Sequence, residues 1–439
     1  MRKRYKILIP SLIIIVLLVG FFVSMRKEQN LTLSSQEAWK KWDKHIELSG
    51  EEGTKLWQED IEYLVSKLEG NHKNLYHNIS KEDFQIQKLE LLSSIDKLDS
   101  IGVFIGMKKL VSLIGDGHTT IRYDIPLNRF PLVIHRFDEG WFAIQISKEH
   151  EGFLGQELVS IGGVAIEEIL QEMSSMLEHE NDAQLISDFP FIAVTADFLM
   201  NFGFIDDLTK ASFTFRDDNG NENTIELQSY YHKNVNVQIT RLDDKLIQTE
   251  APFYKRRIEE IYWHEYISSE ETMYIQYNRC SENKKKPIDT YTKEVIADLE
   301  SNQIKRVIFD LRNNGGGNSS IAGPLIDGIA RLQKKEKFEV YVLIGRETFS
   351  SAILNTIELK KKTKAILVGE PTGGKPNHYG EVKTFNLPNS GLRVTYSSKY
   401  FKHFPDDTDS LYPDIAVKHS IIDYLNNVDP EVEYILNMN

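Results

Sequence analysis

Cysteine is almost absent: Cys280 stands alone in 439 residues, so no disulfide can close within the chain. At the end of an apolar run, Met273–Cys280, it reads as a small buried hydrophobe rather than a nucleophile. Positive charge is also scarce relative to negative. The net charge of −13 and a pI near 5.5 exclude nucleic acid as the main partner. No internal repeat and no low-complexity tract occurs, which excludes solenoid arrays and disordered scaffolds.

Long uncharged runs are equally rare, and the one present lies at the start. Ile7 to Val23 carries no charge, with Arg2, Lys3, Arg4 and Lys6 before it and Arg26 and Lys27 after it. This reads as a membrane anchor over residues 1–27, with a cytoplasmic N-terminus and the body outside the cell membrane. A removed signal peptide, giving a secreted protein, is the alternative, although no small-x-small cleavage site follows Val23. An exported chain without disulfides fits a bacterial cell surface.

Beyond a polar linker, the segment 28–118 reads as helical. Trp57, Ile61, Leu64, Val65 and Leu68 recur at three- and four-residue steps, and Ser80 with Asp83 marks a further helix start. An apolar helix then ends at Leu113-Ile114, before Gly115-Asp116-Gly117-His118-Thr119. Residues 119–245 break into short β-like runs, Phe130–His135 and Trp141–Ile146 among them. Gly155 to Val164, leading to a helix near Glu167–Met176, fits either a PDZ-like module or a plain β insertion. From residue 246 to 439 strands alternate with helices, the pattern of an α/β layer with largely parallel strands.

Several familiar chemistries fail on inspection. Gly369-Glu370-Pro371-Thr372-Gly373-Gly374-Lys375 opens like a phosphate-binding loop, but Pro376 stands where a hydroxyl and a helix start are needed, and Asn377-His378-Tyr379-Gly380 reads as irregular loop. His264-Glu265 lacks a second histidine at zinc-protease spacing, and His72 and His77 fall off a common helical face, so both read as surface or packing histidines. No metal and no cofactor is expected.

Acyl-transfer chemistry explains more. The apolar strand Val307-Ile308-Phe309-Asp310-Leu311-Arg312-Asn313-Asn314 runs into Gly315-Gly316-Gly317, and glycine frees a backbone to aim N–H groups at a developing oxyanion. Thr348-Phe349-Ser350-Ser351-Ala352 puts a serine at a strand-to-helix turn, where it can attack a carbonyl.

These segments, with Gly369 to Lys375, make the chain resemble the tail-specific (C-terminal processing) peptidases of family S41 over about residues 270–420, with Gly115 to Thr119 as an outlying match. The resemblance implies a core related to the ClpP and crotonase folds, joined to the helical N-terminal region and the small β-rich, either PDZ-like or plain, insertion that the periodicity indicates. It also implies protein or peptide substrates cleaved through an acyl-enzyme. By it Ser350 is the nucleophile, Gly316 the oxyanion glycine and Ser351 the second N–H donor. Lys375 sits at the spacing of the family's catalytic lysine, whereas His118 matches the histidine of the tricorn-like branch. In that branch a late acid completes the set, for which Asp407 is the nearest match, with Asp406 and Asp409 close by.

The sequence departs from the family twice. Ile353 replaces the glutamate of an S-x-x-E pattern, and Tyr379 replaces the glutamine that assists the lysine. A histidine is near neutral pKa without tuning and a lysine is not, so His118 is preferred over Lys375 as base. Two other functions compete: a catalytically inactive surface binding protein that keeps the fold, and a crotonase-like acyl-CoA enzyme, which export disfavours.

Overall fold

The structure, a computed structural model, describes residues 50–231, 237–246 and 251–438; the expected anchor and linker lie outside them. Among the described residues no helix is long and apolar enough to cross a membrane.

The amphipathic stripe at the start forms the helix Gly50–Asn71, which buries Trp57, Ile61, Leu64, Val65 and Leu68. The next helix, Lys81–Ser94, starts where its cap requires, with the Asp83 N–H donating to the Ser80 hydroxyl at 3.0 Å. Helix Ser100–Ser112 is capped in the same way by Asp99 and delivers the chain to the turn that carries His118. The β-rich segment folds as a seven-stranded sheet with helices Ile166–Met173 and Asp182–Ala193. One apolar cluster runs from Trp57 and Phe104 through Ile146 and Phe213 to Leu387 and Val394, so helices, β-rich sheet and a late hairpin share a core.

The last part is the α/β layer that the alternation implied. Six strands lie side by side in chain order: Tyr262–Ile267, Thr272–Tyr277, Arg306–Asp310, Glu339–Ile344, Ile366–Gly369 and Ile415–Ala416. The first pair is antiparallel and the rest are parallel. Helices Ile288–Ser301, Gly323–Glu336 and Ser351–Thr363 make the crossovers that parallel neighbours need. Period-two alternation divides each strand between two cores. Val307, Phe309, Val340 and Val342 face these helices, while Ile308, Tyr341 and Leu343 face the C-terminal helix Pro430–Leu436.

One stretch differs from its expectation. The residues after Lys375, read as irregular loop, begin the strand His378–Asn386, which pairs antiparallel with Arg393–Phe401. Gly380 and Pro376 hid it, because neither residue signals a strand interior.

Candidate active site

The carboxyl ends of the parallel strands carry the site. Strand Arg306–Asp310 stops at a buried charge cluster in which Arg312 bonds Asp310, Asp429 and Glu431. Full pairing is what makes such burial tolerable. This anchors the chain just before the glycines. Asn314 shapes the turn itself: its amide donates to Tyr277 O at 2.7 Å, and its carbonyl oxygen accepts the Gly316 N–H at 2.9 Å.

Gly316 and Gly317 take φ of +101° and +132°, conformations open to glycine. A Cβ on Gly316 would lie 2.9 Å from Ser350 Cβ and from Phe349 O, so the turn packs directly against the serine. Gly316→Ala is therefore expected to push the serine out of register and lower peptide cleavage by about 100-fold or more. A steady-state assay beside a thermal melt checks this, and full activity in the alanine variant would contradict the packing argument.

Ser350 sits between strand Glu339–Ile344 and helix Ser351–Thr363, at φ +52° and ψ −122°. A non-glycine residue held there is strained, and such strain persists only where the surroundings enforce it. The Ser351 N–H has no acceptor among the described residues, and its hydroxyl donates to Gly317 O at 2.7 Å. Gly317 likewise keeps its N–H without an acceptor among them. The expected oxyanion donor, Gly316, instead spends its N–H on Asn314. Ile353, where the family pattern has glutamate, is fully buried in the apolar core under the helix.

His118 reaches the same place from the other body of the molecule. Asp116 folds the turn by accepting the His118 N–H at 2.9 Å and the Thr119 hydroxyl at 2.5 Å, with His72 Nε2 donating to it at 2.9 Å. His72, read as a surface or packing residue, is thus buried behind the turn as a partner of Asp116. The His118 ring, 9% exposed, stacks on Phe349 at 4.5 Å and on His378 at 5.6 Å between centroids. Phe349 precedes Ser350, so this stack sets the imidazole against the residue next to the serine.

Neither ring nitrogen of His118 has a hydrogen-bond partner among the described residues. Nδ1 faces Glu180 Oε1 at 3.6 Å and Asp116 Oδ1 at 3.7 Å. Burial disfavours the imidazolium, yet the two carboxylates outweigh it and push the His118 pKa up to about 9. Asp116, despite burial, is held well below the usual carboxylate range by its bonds from His118 and His72.

Glu180 had no motif to reveal it. It precedes the helix Asp182–Ala193, whose cap Asn181 also donates to Thr372 O at 3.0 Å and so ties the helix start to the 372–375 loop. Glu180 then accepts the Lys375 N–H at 2.8 Å. Lys375 lies in this loop, half-buried, and enters the site through its backbone: besides that N–H, its carbonyl accepts from His378 Nδ1 at 2.9 Å. Its ammonium makes no ion pair among the described residues. Asp407 is exposed and is not brought to His118, nor is exposed Asp406; Asp409 accepts from the Tyr412 hydroxyl. The acids at the imidazole are Asp116 and Glu180.

Residues 327–417, which include Ser350, Ser351 and Lys375, match the model of Peptidase family S41. No curated protein matches the chain. Among solved structures, mature CPAF is similar with a TM-score of 0.63 at 12% identity, over 87% of this chain and 96% of that one. Mature CPAF complexed with lactacystin gives a TM-score of 0.62 at 12% identity, over 87% and 97%. At such identity the likeness establishes the shared fold.

Proposed function

We propose that the chain is a serine peptidase of family S41, an endopeptidase of the tail-specific type, with Ser350 as nucleophile and His118 as general base. One observation carries the assignment: the strained Ser350, packed on the glycine turn, follows Phe349, whose ring stacks on His118. With Nδ1 turned to Glu180 and Asp116, Nε2 is the atom that takes the Ser350 proton. Ser350 Oγ attacks the peptide carbonyl, and the oxyanion meets the Ser351 N–H at the helix start together with the Gly317 N–H. The His118 proton passes to the leaving amine, and water then releases the acyl group from Ser350.

The substrates in this reading are proteins or peptides outside the cell, reached by a body tethered through residues 7–23. Labelling the full chain with an acylating serine probe tests the assignment, with the adduct expected on Ser350. An adduct at no residue would favour the second reading, a binding protein that keeps the fold, which the Ile353 departure supports.

The raised His118 pKa gives a signed expectation. The base must be neutral, so in chelator-treated protein kcat/KM should climb about tenfold per pH unit and level off near pH 9. The stability that the imidazolium draws from the two carboxylates has the opposite sense: it is complete below about pH 6.5 and fades as pH rises through about 9. Glu180→Gln removes one carboxylate and should move the activity limb to lower pH. A limb already near 6.5 that ignores this change would take Glu180 out of the site.

A further inference from the structure

Asp116 and His118 share one turn and Glu180 comes from a distant part of the chain, and each offers one ligand atom, the three atoms lying within 4.8 Å of one another. We propose that they form a reversible site for a zinc-class divalent cation, and that filling it switches off the peptidase by taking the base out of service. The switching role rests on the proposed function of His118; the binding site does not.

Two of the three ligand-atom spacings suit a tetrahedral metal site. In a tetrahedral zinc site with ligands at about 2.0–2.2 Å, neighbouring ligand atoms stand about 3.3–3.6 Å apart. His118 Nδ1 lies 3.6 Å from Glu180 Oε1 and 3.7 Å from Asp116 Oδ1, too far for a hydrogen bond and close to that edge length. The imidazole is more than nine-tenths buried, and Nδ1 faces both carboxylates without a bond to either. A buried polar atom in that state calls for a partner.

The surroundings are those of a ligand set. Asp116 Oδ2 is held by His72 and Thr119, and Glu180 Oε2 by the Lys375 N–H, so outer contacts fix each carboxylate; Oε1 and Oδ1, the latter also accepting the His118 backbone N–H, face the imidazole. One imidazole with two carboxylates suits zinc or cobalt; calcium and magnesium prefer all-oxygen shells with more ligands. A fourth position is left for water.

The chemistry balances simply. The cation takes the Nδ1 lone pair and any proton on Nδ1 leaves to solvent. The remaining ring proton then sits on Nε2, which can donate but no longer accept. The Ser350 proton has nowhere to go.

Full-length Ser350→Ala protein, stripped with chelator, would be titrated with Co2+. A visible d–d band saturating at one equivalent and displaced by Zn2+ is expected. Glu180→Gln and His118→Ala, each placed in that background, should weaken binding at least about tenfold, with circular dichroism confirming that they fold. In parallel, Zn2+ should inhibit cleavage by the parent chain and chelator should restore it. No band, or a band indifferent to both substitutions, overturns the site; if the stripped parent still cleaves, the proposed function survives that failure. A band in a chain that cleaves nothing keeps the site and overturns its switching role, as would cleavage that appears only with metal.

Discussion

Ser350→Ala is expected to lower peptide cleavage by about 10⁴-fold or more while leaving the fold intact. Removing a nucleophile that acts as a unit with its base costs nearly all of the covalent catalysis, and only binding and the oxyanion donors remain. The effect should dwarf that of Ser351→Ala, whose hydroxyl holds the Gly317 carbonyl rather than the substrate. The Ser350 hydroxyl has no bonded partner among the described residues, so alanine loses no native hydrogen bond, and the strained backbone is set by the turn and helix around it. Single-turnover kinetics on an unfolded protein substrate, beside a thermal melt, would read both quantities. Cleavage within tenfold of the parent in a folded Ser350→Ala protein would end the serine assignment.

Why the proposed nucleophile was legible in sequence and the carboxylate beside the imidazole was not follows from how each is encoded. The Asp310–Gly317 strand-turn and the Ser350 strand-to-helix turn are local: apolar alternation, glycines at positive φ and a helix start are written in adjacent residues. The α/β layer was readable for the same reason, since Val307/Phe309 and Ile308 must face opposite cores. Glu180 is different. It reaches the imidazole only because Asn181 pins a helix from the β-rich body to the Thr372 loop, a tertiary contact that leaves no local spacing. The same holds for His72, whose bond to Asp116 joins the end of the first helix to the turn that carries His118. Asp407 illustrates the converse error. A position inferred from spacing after the nucleophile places a carboxylate only if the intervening loop folds alike, and here the chain between Phe401 and Ser410 leaves Asp407 in solvent. The strand His378–Asn386 was missed because its pairing partner, not its composition, decides it.

The choice between two bases yields the second large effect. His118→Ala is expected to lower kcat by about 10³–10⁴-fold with little change in KM, because the imidazole acts in the transition state rather than in binding. Lys375→Ala is expected to cost less than about tenfold, since the contacts that Lys375 makes in the site run through its N–H and carbonyl, and alanine keeps both. The two rings stacked on His118, Phe349 and His378, hold the imidazole against the residue that precedes Ser350 without bonding either nitrogen. Steady-state kinetics of both variants decides the matter. If Lys375→Ala were the silent enzyme and His118→Ala kept its rate, the lysine would be the base, and His118 would be a packing residue in a turn built by Asp116.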